Sequence, residues 1–319
     1  MTKILLTTTS FKDTPGDHHR LLESQGYEIA RERGPLPEEK MLEIVGDFDG
    51  IICGDDAYTR AVLEKCLPRL KVLSKYGIGL DKIDVDAATE LKIPVCFCPG
   101  VNHTTVAEHT FGLILSLYRQ IPEQNALVHG GQWKRKTGHE ILGKTIGILG
   151  LGRIGKEVAR RAWAFEARVI AYDIVWDEAF AEQFDVQRQS TPEDVLKQAD
   201  ILALHMNLTE ENRGFLNRER LALMNEEAIV VNASRGALID QEAVAEAVKS
   251  GRLAGYAADV VDPEPIRPDN PLIGLERVVL TPHIGSRTYE SVVRQATMAV
   301  QNLINVLSGR PALAQKNMV

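Results

Sequence analysis

The sequence predicts an α/β fold of two doubly wound parallel-sheet domains, on three observations. Short apolar runs alternate with helix-length segments along nearly the whole chain, which implies parallel βαβ units. At 319 residues the chain exceeds what one hydrophobic core usually organises. The alternation is interrupted once, after Pro99-Gly100, and then restarts.

The first series reads as strands over 3–7, 27–31, 50–53, 71–74 and 94–98, with helices over 17–25, closed by Gly26, and 59–66. Pro99-Gly100 reads as a hinge, followed by a long helical stretch from about 104 to 133. Its apolar residues Val106, Phe111, Leu113, Ile114, Leu115 and Leu117 occupy several faces, the pattern of a helix buried between domains or subunits. The second series has strands over 145–149, 168–172, 201–205, 228–232, 255–260 and 278–281. The final helix, 290–307, has no strand after it and is expected to return to the first domain. This divides the chain into a flavodoxin-like domain, 1–99 plus 287–319, and a second domain, 100–286.

A net charge of −7 and no Lys/Arg block argue against a nucleic-acid partner. The N-terminus, Met1-Thr-Lys-Ile-Leu-Leu-Thr-Thr-Thr-Ser, reads as a first strand, since it lacks the apolar core and small-residue cleavage site of a signal peptide. No apolar run is long enough to span a bilayer, so a cytoplasmic protein is expected. Cys53, Cys66, Cys96 and Cys98 form no Cys-x-x-Cys pair and are expected to be buried reduced thiols; no metal site is expected.

The sharpest local signal is Gly150-Leu151-Gly152-Arg153-Ile154-Gly155, placed directly after an apolar strand and before the helical run 156–163. In such a run the first glycine permits a tight turn, the second lets the backbone approach a pyrophosphate, and the third lets helix and strand pack closely. The helix N-terminus offers N–H groups and positive partial charge to that pyrophosphate. Alone the pattern is weak evidence. Here the next strand ends on Asp173, eighteen residues past Gly155, where a carboxylate accepts from ribose hydroxyls and repels a 2′-phosphate. Six strands interleaved with helices complete a Rossmann dinucleotide-binding domain, with NAD favoured over NADP.

A nicotinamide site implies hydride transfer. Reducing a 2-oxo acid needs a cation for the carboxylate and carbonyl, an acid to protonate the developing alkoxide, and a group that tunes that acid. Arginine, histidine and glutamate suit these tasks, and one of each falls beyond a strand end: Arg235 in Asn-Ala-Ser-Arg-Gly, Glu264 in Asp-Pro-Glu-Pro, and His283 in Thr-Pro-His-Ile-Gly. Taken singly, each has a bland structural alternative: a helix cap, a loop carboxylate, a strand-end imidazole. The other histidines, among them His18, His19, His103, His109, His139 and His205, read as structural or solvated.

Taken together, Lys75-Tyr-Gly-Ile-Gly-Leu-Asp-Lys-Ile-Asp84, Val106-Ala-Glu-His109, Gly147-Ile-Leu-Gly-Leu-Gly-Arg-Ile-Gly155, Asn232-Ala-Ser-Arg-Gly236, Asp262-Pro-Glu-Pro265 and Thr281-Pro-His-Ile-Gly285 resemble the D-isomer-specific 2-hydroxyacid dehydrogenases, most closely the phosphoglycerate dehydrogenase branch. The stretches run in family order over nearly the whole chain. The resemblance implies that Arg235 binds the substrate carboxylate and carbonyl, that His283 donates and accepts the proton, and that Glu264 pairs with His283 and raises its pKa. It places Gly150, Gly152, Arg153, Ile154, Gly155, Asp173, Ala233, Ser234, Asp259 and Ser286 at the cofactor, with Asp259 near the nicotinamide amide. Lys75, Tyr76, Gly77, Ile78 and Gly79 fall at the substrate carboxylate, in a cleft between the domains. Arg135 matches a position that a partner subunit contributes to the phosphoglycerate site, and a homodimer through 104–133 is implied.

The sequence also departs from the family pattern. Lys82 replaces a usual asparagine and Asn207 a common proline. Where the phosphoglycerate branch supplies an arginine to the substrate phosphate, this chain has Cys53-Gly-Asp-Asp-Ala57. Two carboxylates there, Asp55 and Asp56, would repel a dianionic phosphate unless both point into solvent. The expected substrate is therefore a small 2-hydroxy acid with a neutral or compact polar end, with phosphoglycerate the runner-up. The sequence ends at Val319, so serine feedback through a C-terminal module is not expected. A reading of another class is an NAD(H)-binding corepressor-like scaffold, as in some family relatives.

Overall fold

The computed structural model describes all 319 residues. They form two compact units, Met1–Asn102 with Arg287–Val319, and His103–Ser286.

The first unit holds β1 (Lys3–Leu6), β2 (Glu28–Arg31), β3 (Gly50–Cys53), β4 (Val72–Lys75) and β5 (Val95–Cys96). All pair in parallel, in the order β2-β1-β3-β4-β5, the flavodoxin-like arrangement. β3 and β4 are buried at every residue, as parallel strands covered on both faces must be. On one face Leu5, Ile51 and Leu73 pack with Val62, Leu63, Ala87 and Ala88. On the other, Ile4, Leu6, Ile52 and Val72 meet Val292, Ala296, Ala299, Val300 and Leu303 of the C-terminal helix Tyr289–Leu307. That helix starts where the Thr288 hydroxyl accepts from the Ser291 N–H at 3.2 Å. Each of its fully buried valine and leucine side chains stabilises the unit by about 1.5–3 kcal/mol relative to exposure.

The helices Thr9–Asp13, Glu38–Ile44 and Val85–Glu90 are not expected from the sequence. At five to seven residues they are too short to show a helical period, and Val85–Glu90 depends on the Asp84 carboxylate accepting from the Ala87 N–H at 2.8 Å. All four cysteines are buried and unpaired. Burial pushes the Cys98 thiol up to about 11 and those of Cys66 and Cys96 to about 12.

The second unit holds β6 (Thr145–Leu149), β7 (Arg168–Tyr172), β8 (Val186–Arg188), β9 (Ile201–Leu204), β10 (Ile229–Asn232), β11 (Gly255–Ala258) and β12 (Val278–Leu280). They form one parallel sheet in the order β12-β11-β10-β9-β6-β7-β8. The strand order reverses between β6 and β9, which is where a doubly wound sheet opens a crevice beyond its carboxyl ends. The sheet has seven strands, not six. β8 leaves no clear mark in the sequence, because Val-Gln-Arg is three residues long and two of them are exposed at the sheet edge.

The single helix expected over 104–133 is two, His103–Tyr118 and Ile121–His129. Gln120 between them is left-handed at φ 51°, and Pro122, which cannot donate within a continuous helix, stands in the first turn of the second. Trp133 lies beyond both helices and is 78% exposed. His103–Tyr118 buries Ala107, Phe111, Leu113, Ile114 and Leu117 in the core beneath the sheet of its own unit, against residues such as Ile146, Val158 and Ala257. No helix is long and apolar enough to cross a membrane.

In the first unit, Asp56 departs from the expected loop acid. It is completely buried, its Oδ1 accepting from the Leu36 N–H at 2.9 Å and its Oδ2 from the Gly54 N–H at 3.2 Å and from the Thr7 hydroxyl. The carboxylate ties the loops after β1, β2 and β3 together. Asp56→Ala strands these donors, so the urea midpoint of unfolding is expected to fall by the equivalent of about 2–3 kcal/mol.

Candidate active site

The loop after β6 is built from close approaches. Gly150 has φ +96°, and a side chain there would lie 2.6 Å from the His205 carbonyl at the end of β9. A Cβ on Gly155 would lie 2.0 Å from the Gly150 oxygen, so only glycine allows the helix Arg153–Ala164 to start this close to the strand. Gly152 has open space around its Cα, and as N-cap it brings no side chain to the first turn, which also lacks an acid. Arg153 is exposed and Ile154 half-buried. The helix start is therefore open to an anion. Asp173 stands at its lip, Oδ2 accepting from the Leu151 N–H at 2.5 Å and Oδ1 from the Val175 N–H at 2.9 Å. Each oxygen has a further lone pair for a hydroxyl. Beside Gly150, burial pushes the His205 imidazole down to about 4, and neither of its ring nitrogens meets a protein partner. An open glycine cradle, an uncapped helix and a pinned carboxylate in register fit an NAD pyrophosphate and ribose.

The strands on the other side of the switch point deliver the remaining groups. After β10, the Asn232 side chain accepts from the Ser234 N–H at 3.1 Å and donates to the Arg235 carbonyl at 2.9 Å, which shapes the turn through Ala233. The Ser234 hydroxyl donates to the Met206 carbonyl, and Arg235 Nη1 donates to the Ser234 carbonyl at 2.8 Å. A Cβ on Gly236 would lie 2.1 Å from the Val261 carbonyl carbon, so this loop is pressed against the one after β11 that leads to Glu264.

The Glu264 Oε2 stands 2.8 Å from His283 Nδ1, and its Oε1 accepts from the Val261 N–H at 3.3 Å. Loops after two adjacent strands, β11 and β12, thus bring a carboxylate and an imidazole together. His283 is left-handed at φ 52°, an uncommon state for a residue with a Cβ, and its N–H donates to the Asp259 carbonyl at 2.8 Å. Ser286, three residues on, is half-buried at the end of the same loop.

Asp259, 3% exposed, organises that loop. Its Oδ1 accepts from the Thr281 hydroxyl at 2.6 Å and the Ile284 N–H at 2.8 Å, and its Oδ2 from the Gly285 N–H at 2.6 Å. His109 Nε2 lies 2.9 Å from Thr281 Oγ1 and 3.3 Å from Asp259 Oδ1. Sequence reasoning counts His109 among the structural or solvated histidines, although it ends the motif Val106-Ala-Glu-His109. Burial opposes the charge on Asp259, but the hydrogen bonds from His109, Thr281, Ile284 and Gly285 outweigh it and hold the carboxyl below its ordinary range.

The first unit holds the expected substrate residues Lys75 to Gly79. Lys75, 4% exposed, donates from Nζ to the Gly54 carbonyl at 2.6 Å and to Asp55 Oδ1 at 2.7 Å. The expected pair of repelling carboxylates is therefore corrected: Asp56 points into the protein and Asp55 is matched by a buried ammonium. Tyr76 is buried, its pKa raised by burial; Gly77 has φ +120°; Ile78 and Gly79 are half-buried. Arg135 is exposed on the irregular segment after the second helix of His103–His129.

A depressed folded pKa makes Asp259 stabilising above its unfolded value, near 3.9, with that stability lost as pH falls through the lower folded value. Wild type is expected to exceed Asp259→Asn in urea midpoint throughout neutral pH. The gap should narrow only below about pH 4.

Comparison with known proteins agrees with the dinucleotide-binding fold. Residues 111–285 match the model of the D-isomer specific 2-hydroxyacid dehydrogenase, NAD binding domain. The whole chain is 40% identical to the D-3-phosphoglycerate dehydrogenase of Methanocaldococcus jannaschii, of which it spans 60%. It is also 40% identical to the glyoxylate reductase of Thermofilum pendens, over 89% of this chain and 86% of that one. A solved structure of a Thermus thermophilus protein superposes with a TM-score of 0.90 at 37% identity, covering 98% of this chain and 99% of that one. The chain belongs to the D-isomer-specific 2-hydroxyacid dehydrogenase family.

Proposed function

We propose that this chain is an NAD-dependent D-2-hydroxyacid dehydrogenase, interconverting a 2-hydroxy acid and its 2-oxo acid. The observation that carries the reading is the 2.8 Å contact of Glu264 with His283 Nδ1, beside a sheet edge that also presents Arg235 and the open glycine loop. NAD, when bound, supplies or takes up the hydride. Against the Glu264 carboxylate, Nδ1 of His283 carries a hydrogen and donates, which leaves Nε2 as the atom that exchanges a proton with the substrate oxygen. Arg235 is the cation for the substrate carboxylate and carbonyl. The N–H groups of the Gly77–Gly79 loop are assigned to the same carboxylate. Gly150, Gly152, Arg153, Ile154, Gly155, Asp173, Ala233, Ser234, Asp259 and Ser286 are assigned to the cofactor.

A small 2-oxo acid such as hydroxypyruvate or glyoxylate is the preferred substrate, since the loop 53–57 offers no arginine. The pairing of Asp55 with Lys75 favours a second reading, phosphohydroxypyruvate, because it removes the repulsion that two bare acids would exert. A homodimer through 104–133 is supported by Ile121, Val128 and Trp133, apolar side chains 53%, 51% and 78% exposed.

Turnover of NADH and NADPH against a panel of 2-oxo acids tests the reading, with NADH expected to be preferred. His283→Ala should slow the chemical step about a hundred- to ten-thousandfold, the usual range for a general acid–base. Near-normal turnover in that variant would remove His283 from the mechanism. The substrate is decided by catalytic efficiency on hydroxypyruvate, glyoxylate and phosphohydroxypyruvate at one ionic strength. The expected result is a preference for an unphosphorylated acid that Arg135→Ala leaves in place; a preference for the phosphorylated one that collapses in that variant establishes the second reading.

A further inference from the structure

We propose that His109 is a positioning residue, holding the turn that presents His283 through Thr281 and Asp259. The proposal deepens the dehydrogenase reading and rests on it for its kinetic consequence.

The hydrogen-bond directions follow from counting hydrogens. Thr281 has one hydroxyl hydrogen, and the close acceptor for it is Asp259 Oδ1 at 2.6 Å, with the Ala258 carbonyl farther off at 3.5 Å. Thr281 Oγ1 must then accept at the 2.9 Å contact with His109, so His109 carries its hydrogen on Nε2 and donates. The same Nε2 faces Asp259 Oδ1 at 3.3 Å. Asp259 in turn takes the N–H groups of Ile284 and Gly285, the two residues that follow the left-handed His283.

This chain of contacts starts from a rigid base. His109 stands on His103–Tyr118, a helix packed into the core of its own unit through Ala107, Phe111, Leu113 and Ile114. At the other end there is no slack, because a Cβ on Gly285 would lie 2.8 Å from Asp259 Oδ2 and 3.4 Å from His109 Cδ2. Without the imidazole the Thr281 hydroxyl is released to rotate, and the buried carboxylate loses part of what offsets its desolvation. The turn carrying His283 is then free to move by the fraction of an ångström that acid–base geometry does not tolerate.

His109→Phe keeps the ring and removes the donor; His109→Gln returns an N–H at nearly the same reach. In His109→Phe, kcat with NADH and the best 2-oxo acid is expected to fall about ten- to a hundredfold, with NADH affinity close to wild type and the melting temperature lowered only slightly. His109→Gln is expected to recover most of the loss. Hydrogen exchange of the Ile284 and Gly285 amides, followed by NMR, is expected to accelerate about tenfold or more in His109→Phe and to return towards wild type in His109→Gln. Unchanged kcat and unchanged amide protection in His109→Phe overturn the proposal. So does an equal loss in both variants accompanied by a strongly lowered melting temperature, which marks a structural role alone. If wild type reduces no 2-oxo acid, the dehydrogenase reading fails, and the amide exchange still decides whether His109 holds the turn.

Discussion

A parallel sheet delivers the residue that follows each strand to one edge, and the chemistry of the second unit depends on that constraint. Gly150, Asp173, His205, Ala233, Asp259 and Thr281 each stand directly after a strand, so one sheet register collects groups spread over more than a hundred residues of sequence. Short connections then make the pairings local. Glu264 and His283 meet because β11 and β12 are neighbours, and Asp173 reaches the glycine loop because β7 neighbours β6. Backbone contact tightens the arrangement where Gly236 presses on Val261, at a distance only glycine permits.

Two buried carboxylates serve the two units in the same way. Asp56 gathers donors from three loops at the carboxyl edge of the first sheet, and Asp259 gathers N–H groups from the loop after β12 in the second. Irregular backbone near a sheet edge has N–H groups without a ladder partner, and a carboxylate can accept several at once. The desolvation of the acid is offset only when most of its lone pairs are filled, which makes each site a rigid unit. Asp55 shows the contrast: its side chain is 60% exposed and meets the buried Lys75 ammonium at 2.7 Å.

These physical roles decide what the sequence discloses. Strands β6 and β7 are legible to the residue, because a short, mostly apolar run stops at Gly150 in one and at Asp173 in the other. The glycine loop and Asp173 are legible because their spacing expresses a geometric requirement. β8 is hidden because a short polar edge strand owes its pairing to β7 and not to its own side chains. Pro122 announces the break at Gln120, but the apolar residues on either side outweigh that signal. Asp56 and His109 escape a reading of the sequence for a common reason. Whether an acid or an imidazole is bare or enclosed depends on residues far away in sequence, such as Leu36 for Asp56 and Thr281 for His109.

The seven-strand count carries the last step. Six strands in the order β8-β7-β6-β9-β10-β11 complete the dinucleotide-binding arrangement, so β12 is an addition at the far edge. It pairs only with β11, is half-buried at each of its three residues, and bears His283 on the loop beyond it. Such an edge leaves the imidazole 41% exposed, open to a small molecule, but an edge strand lends its following loop little rigidity. The rigidity comes from inside: Asp259, at the end of the interior strand β11, fixes the two amides after His283, and a core helix fixes Asp259. An exposed imidazole on a marginal strand and a buried acid on a central one are thus complementary parts of one arrangement. Neither could do the other's task, because a buried imidazole would be closed to any small molecule and an exposed carboxylate could not hold the turn.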